Sequence, residues 1–270
     1  MQPQELGRMN RPIAADIAGK RKLYVTLMVP PSPGAPEGFE ERYNGYWKSA
    51  DRHISQLEAR AGVVKRVFVE GVARGGQAGL NMLEKSNPAA YELVATRVKG
   101  GAVLEAFEDD LLFAEMLDWG RCLQVGFASR KVAQTVSDAF KKATEERLKS
   151  LQMKLNEGLK LMEAGLLLAT RFDSVMPPSD VERFMVSPPE LDELDRWVRQ
   201  ANEAIMKAME EEEAQMMGEQ GAVDPHAGHS HGPLPGAAPA RQPAPRQGPP
   251  PPPPAQQQRP GGLWTPGQQR

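Results

Sequence analysis

The chain has 270 residues, a quarter of them charged, and a formal net charge of −2. A balance so close to neutral excludes a general electrostatic attraction to nucleic acid or to an anionic membrane. The single cysteine, Cys122, excludes an intrachain disulfide and fits a reducing compartment.

Residues 1–21 lack the continuous apolar run of a signal peptide and read as a flexible N-terminal segment. No stretch reaches the roughly eighteen apolar residues of a spanning helix, so the expectation is a soluble, cytoplasmic protein. KLYVTLMVP, Lys22 to Pro30, is rich in β-forming residues and is stopped by Pro30 and Pro31, which predicts a strand. In the next segment Phe39, Tyr43, Trp47, Ala50, Ile54, Leu57 and Ala61 recur at spacings of four and three. That is one buried face of a helix, with Gly62 as its stop and His53 on the flank of the face.

VVKRVFVE, ending at Glu70, predicts the second strand and leads into Gly71, Gly75, Gly76 and Gly79. A Walker loop would continue with Gly-Lys-Ser or Gly-Lys-Thr, but Gln77 and Ala78 follow the glycine pair. A dinucleotide fingerprint would need a glycine where Ala73 stands. Both motifs fail, and the expectation is a strand-to-helix connection. Helices are predicted at about 77–85 and, restarted by Asn87 and Pro88, to the Gly100–Gly101 stop.

AVLEAF, 102–107, predicts a third strand, and Asp109 and Asp110 open a short helix through Trp119. RCLQVGF, 121–127, reads as a further strand, with Cys122 as a buried thiol. Neither Cys122 nor His53 stands in a nucleophile signature. Ser129 is expected to cap a long helix reaching Glu163, with an apolar stripe through Val136, Phe140, Leu148, Leu151, Leu155 and Leu159. That stripe either pairs two chains in a homodimer or packs on its own sheet.

GLLLATR and VERFMVS predict two more strands. A final helix to about Met217 buries Leu191, Leu194 and Val198 and ends in the acidic run Glu210 to Glu213. Residues 218–270 are dominated by proline, glycine, alanine and glutamine, and are expected to be a disordered tail with polyproline II character at Pro249 to Pro254. His226, His229 and His231 in that tail would bind zinc, nickel or copper weakly.

Strands alternating with helices predict one α/β layered domain over 22–217, with a mixed or mostly parallel sheet. Residue 128 is where two subdomains would meet, joined by the long helix. Two functional readings follow. In the first, the protein is an interaction or regulatory adaptor module that meets protein partners through the proline-rich tail and the long amphipathic helix. In the second, it is a magnesium-dependent hydrolase or transferase of a phosphorylated substrate. Glu70, Glu105 and Asp109 would then hold the metal, with Arg74, Gly75 and Gly76 at the phosphate.

Overall fold

The computed structural model describes residues 19–220, with side chains to 211; the histidine group, the proline run and residues 1–18 lie outside the described residues. Five strands form one sheet: β1 (Arg21–Leu27), β2 (Val64–Val69), β3 (Val103–Leu104), β4 (Ala164–Ala169) and β5 (Val181–Val186). Every ladder is parallel, in the order β3-β2-β4-β1-β5. The helices are α1 (Phe39–Ala61), α2 (Gly76–Ser86), α3 (Pro88–Lys99), α4 (Asp110–Gln124), α5 (Arg130–Gly158) and α6 (Pro189–Gln220). From Arg199 onward α6 belongs to a second compact unit, in which Ile205 and Met206 are exposed.

The order of the strands explains the two layers of helices. The chain steps from β1 to β2 to β3 toward one edge, then from β3 to β4 to β5 toward the other. Right-handed crossovers in opposite directions place their helices on opposite faces. On one face, α1 lies over Tyr24 and Thr26. Tyr24 Oη donates to the carbonyls of Gly62 (2.7 Å) and Leu57 (3.3 Å), and Thr26 Oγ1 lies 3.0 Å from Tyr46 Oη. On the other face, Leu23, Val25, Phe68 and Leu167 pack with Leu151, Leu155 and Leu159 from α5 and the segment just after it. Strands buried on both faces read as nearly unbroken apolar runs, as β4 does.

Three expectations are corrected. RCLQVGF is not a strand: Arg121 to Gln124 finish α4 and the rest connects to α5. Cys122 is exposed rather than buried, in the last turn of α4. AVLEAF pairs only at Val103 and Leu104. Beyond them, Phe107 and Glu108 donate their N–H groups to the Val72 carbonyl (3.1 and 3.0 Å), which binds the two loops together.

The long helix also stops at Gly158 rather than Glu163. A side chain there would stand 2.8 Å from the Phe68 ring, and Arg21 Nη1 takes the orphan carbonyls of Asn156 (3.0 Å) and Leu159 (3.1 Å). Among the described residues no helix is long and apolar enough to cross a membrane.

The α1 face predicts how the fold responds to base. Burial pushes the Tyr24 and Tyr43 phenols up to about 12. The charge of Glu58 adds to the effect on Tyr24, and a contact with Trp47 opposes it on Tyr43. Burial raises Tyr46 as well, against hydrogen bonds to Thr26 and the Leu27 carbonyl. An unfolded phenol near 10.0 ionises first, so these tyrosines contribute stability in full below pH 10.0 and lose it as pH rises toward about 12. Tyrosinate absorbance and loss of helical circular dichroism are expected to rise together in that window. Tyrosinate signal from all three phenols near pH 10.0, with the helix signal intact, would refute the burial account.

Candidate functional site

In an open parallel sheet, ligands meet the chain where neighbouring strands send their connections in opposite directions. Here those neighbours are β2 and β4: the chain leaves β2 for the β3 edge and leaves β4 for the β5 edge. Glu70 follows β2 directly. Continuing the alternation of Phe68, it points to the α5 face, where it is only 1% exposed.

Glu70 belongs to a buried ionic cluster with Glu108 and Arg147. Arg147 Nε and Nη2 donate to the two oxygens of Glu108 at 3.0 and 2.5 Å, and Nη2 also reaches Glu70 Oε2 at 3.4 Å. The backbone N–H of Gly71 donates to Glu108 Oε2 at 3.0 Å and that of Asp109 to Oε1 at 3.2 Å. Two residues of the β4–β5 connection complete it: Thr170 Oγ1 donates to Glu70 Oε2 at 2.8 Å and Ser174 Oγ donates to Glu70 Oε1. Lys154 Nζ donates to the Glu108 carbonyl at 2.7 Å. Burial acts to lower the Arg147 pKa, but the hydrogen bonds and charges of Glu108 and Glu70 outweigh it and leave the value raised. The guanidinium therefore stays charged, and each carboxylate has donors on both oxygens, the condition under which buried ions are tolerated.

Above the cluster lies a cleft of about 840 Å³. One wall is the α4–α5 hairpin, through Phe113, Leu117, Phe140 and Leu148; the other is the β4–β5 connection, through Thr170, Arg171 and Asp173. Arg147 reaches its floor and lies 5.1 Å from the centre of the Phe113 ring. One apolar wall faces a polar one over a fixed polar floor, and the volume falls within the range of about 300–1,000 Å³ for binding clefts. A second cleft of about 600 Å³, lined by residues including Pro31, Glu37, Glu40 and Glu92, stands over no buried ionic cluster.

The residues expected to hold magnesium are divided among different partners. Glu70 faces Arg147, Thr170 and Ser174. Glu105 accepts from Arg66 at 2.6 Å. Asp109 caps α4, accepting from the N–H groups of Leu111 (3.0 Å) and Leu112 (3.2 Å). Among the described residues no three His, Cys, Asp or Glu side chains gather as a metal site.

The glycine loop has an explanation in packing. A side chain at Gly75 would stand 2.9 Å from the Leu104 carbonyl oxygen, and one at Gly79 would run into the Arg74 carbonyl. Gly71 and Gly76 take positive φ, 79° and 58°, which glycine adopts without steric cost. Arg74 pairs with Asp110 at 2.9 Å, and His53 Nδ1 lies 2.8 Å from the Ser49 carbonyl on α1.

Arg147 was absent from the expected site, and Glu108 stood in the acidic group after the third strand without being one of the three expected metal ligands, although the sequence carries a signal for both. The α5 stripe Phe140, Ala143, Leu151, Leu155 has Arg147 in the same register, and a charge within an apolar stripe calls for a buried counter-charge. Comparison of the chain with protein-family models, curated proteins and solved structures returned no match.

Proposed function

We propose that the protein is an interaction module of the adaptor or regulatory kind, and that the α4–α5 hairpin with its cleft is the surface that receives a partner. One observation carries this reading. Helix α4 buries none of its residues, although it holds Leu111, which is 81% exposed, and the exposed Leu117 and Leu123; Val125 and Val132 beyond it are exposed too. Apolar side chains concentrated on one projecting element mark an association surface more often than a chance scatter does. An apolar segment of a partner fits between Phe113, Phe140 and the β4–β5 connection, with Arg121 and Asp173 at hand for polar contacts.

The magnesium-dependent alternative draws less support, because its three carboxylates are engaged with separate partners. The proline-rich tail would add a second point of attachment under the adaptor reading.

Leu117→Glu with Leu123→Glu in the full chain tests the proposal. Each side chain is exposed, so surface changes of this sort should shift stability by about 0.5 kcal/mol or less apiece. Crosslinks formed through 110–132 in an extract of cells making the protein, mapped by mass spectrometry, are expected to disappear. Leu161→Glu, exposed outside the hairpin, serves as the control and should leave them in place. An unchanged crosslink map for the double variant would refute the proposal.

A further inference from the structure

We infer that the cleft between the α4–α5 hairpin and the β4–β5 connection binds a small neutral molecule, apolar in its body and ending in a carbonyl oxygen that accepts from Arg147. The inference adds a ligand site to the surface read above as receiving a partner, and it does not need that partner.

The anchor is what the buried cluster leaves over. Arg147 is only 6% exposed, yet it lines the cleft. Its Nε and Nη2 groups are taken up by Glu108 and Glu70. Every oxygen of those two carboxylates has a donor, from Arg147, Thr170, Ser174 or the backbone N–H groups of Gly71 and Asp109. Among the described residues nothing accepts from Nη1. A guanidinium is flat, so with Glu108 along the Nε–Nη2 edge, Nη1 points away from Glu108. The Phe113 ring, which also lines the cleft, has its centre 5.1 Å from the guanidinium carbon. An arginine held on so many sides is a preorganised donor, and a ligand oxygen need not order it on arrival. So little of it is open that only the narrow tip of a ligand reaches it.

The charges select the class of acceptor. A cationic group has no lone pair to offer Nη1. An anion finds no surplus of positive charge: of the charged residues lining the cleft, Arg121 pairs with Asp118 at 2.8 Å and Arg171 with Asp173 at 2.9 Å. Arg147 has two carboxylates, and Lys154 beside the Glu108 carbonyl does no more than bring that group to balance. A carboxylate or phosphate would give up its hydration to meet Glu70 and Asp173 as well as Arg147. A neutral carbonyl oxygen takes the same N–H groups without that loss. Phe113, Phe140 and Leu148 on the hairpin side supply apolar cover for the rest of the molecule.

Three probes of one shape test this on the full chain: benzylacetone, with a neutral carbonyl; hydrocinnamate, in which a carboxylate replaces the methyl ketone; and butylbenzene, with no acceptor. In titrations followed by protein NMR, benzylacetone is expected to bind about tenfold more tightly than either of the others, the worth of one hydrogen bond to a charged donor. It should move the amide signals of Thr144 and Thr170, which line the cleft. Thr144→Phe fills the cleft and should abolish binding of all three probes. Arg147→Met with Glu70→Gln and Glu108→Gln removes the donor together with its counter-charges, and should bind benzylacetone and butylbenzene alike. If circular dichroism shows that triple variant unfolded, the wild-type series and Thr144→Phe decide the matter. Hydrocinnamate binding best, butylbenzene binding the wild type as well as benzylacetone does, or no probe binding overturns the inference. So does a preference for benzylacetone that survives in a folded triple variant or in Thr144→Phe. Crosslinks through 110–132 that persist in Leu117→Glu with Leu123→Glu, beside selective binding of benzylacetone, would remove the interaction reading and leave the ligand site.

Discussion

Leu155→Glu is expected to abolish the cooperative folded state. Leu151 and Leu155 are fully enclosed, packed with Leu23, Val25, Phe68 and Leu167 between α5 and the sheet. Truncating such a leucine to alanine costs about 2–5 kcal/mol. A glutamate adds an ion with no partner, for several kcal/mol more, against a total domain stability of about 5–15 kcal/mol. Circular dichroism should show no cooperative melt, while Lys149→Glu on the exposed side of the same helix should melt near the wild type. A cooperative melt for Leu155→Glu within a few degrees of wild type would show that this stripe faces outward. Of the two readings of the stripe, packing on the chain's own sheet is the one these residues follow, so any association between copies must use another surface.

Arg147→Met should be the next most damaging change. It leaves Glu70 and Glu108 buried without their cation, and breaking a buried pair by removing one partner costs about 3–5 kcal/mol. For a domain of this size that is a fall of roughly 10 °C in the melting midpoint. Adding Glu70→Gln and Glu108→Gln to the same variant removes the stranded charges and should recover most of the loss. Differential scanning calorimetry on the two variants reads both effects. A single variant that melts within a degree or two of wild type would mean that the cluster is solvated and holds nothing in place.

These two changes also mark what the sequence disclosed and what it hid. The β-forming run of β1, the continuous apolar run of β4 and the stripes of α1 and α5 were legible because burial on a sheet selects residue types and imposes a period the eye can count. RCLQVGF misled because alternation over a few residues suits the last turn of a helix as well as a strand, and only a neighbouring strand decides between them. Cys122 followed that error into a buried setting it does not have. The end of α5 depends on Arg21 and Phe68, both far away in the chain and invisible to local pattern.

The candidate site divides in the same way. Glu70 was legible from its place at the end of a strand. Glu108 and Arg147 become its partners only through the path of two loops and a helix. Glu105 and Asp109, which sit beside Glu108 in the sequence, point to other tasks because successive residues in a loop face different ways.

The order of the strands sets the timetable of assembly. β1 lies between β4 and β5 and touches neither β2 nor β3, so both of its neighbours come from the other half of the chain. During synthesis, β2, the two helices after it and β3 can collect while β1 waits, covered by α1 on one face but with the face toward α5 bare and both edges open. Long-range pairings of this kind slow folding, and an unpaired apolar strand is the kind of segment that aggregates while it waits. Of the five strands β1 leaves the ribosome first and gains its sheet neighbours only from the end of the order, and the interval before β4 and β5 appear is the period in which a nascent chain of this topology has most need of a chaperone.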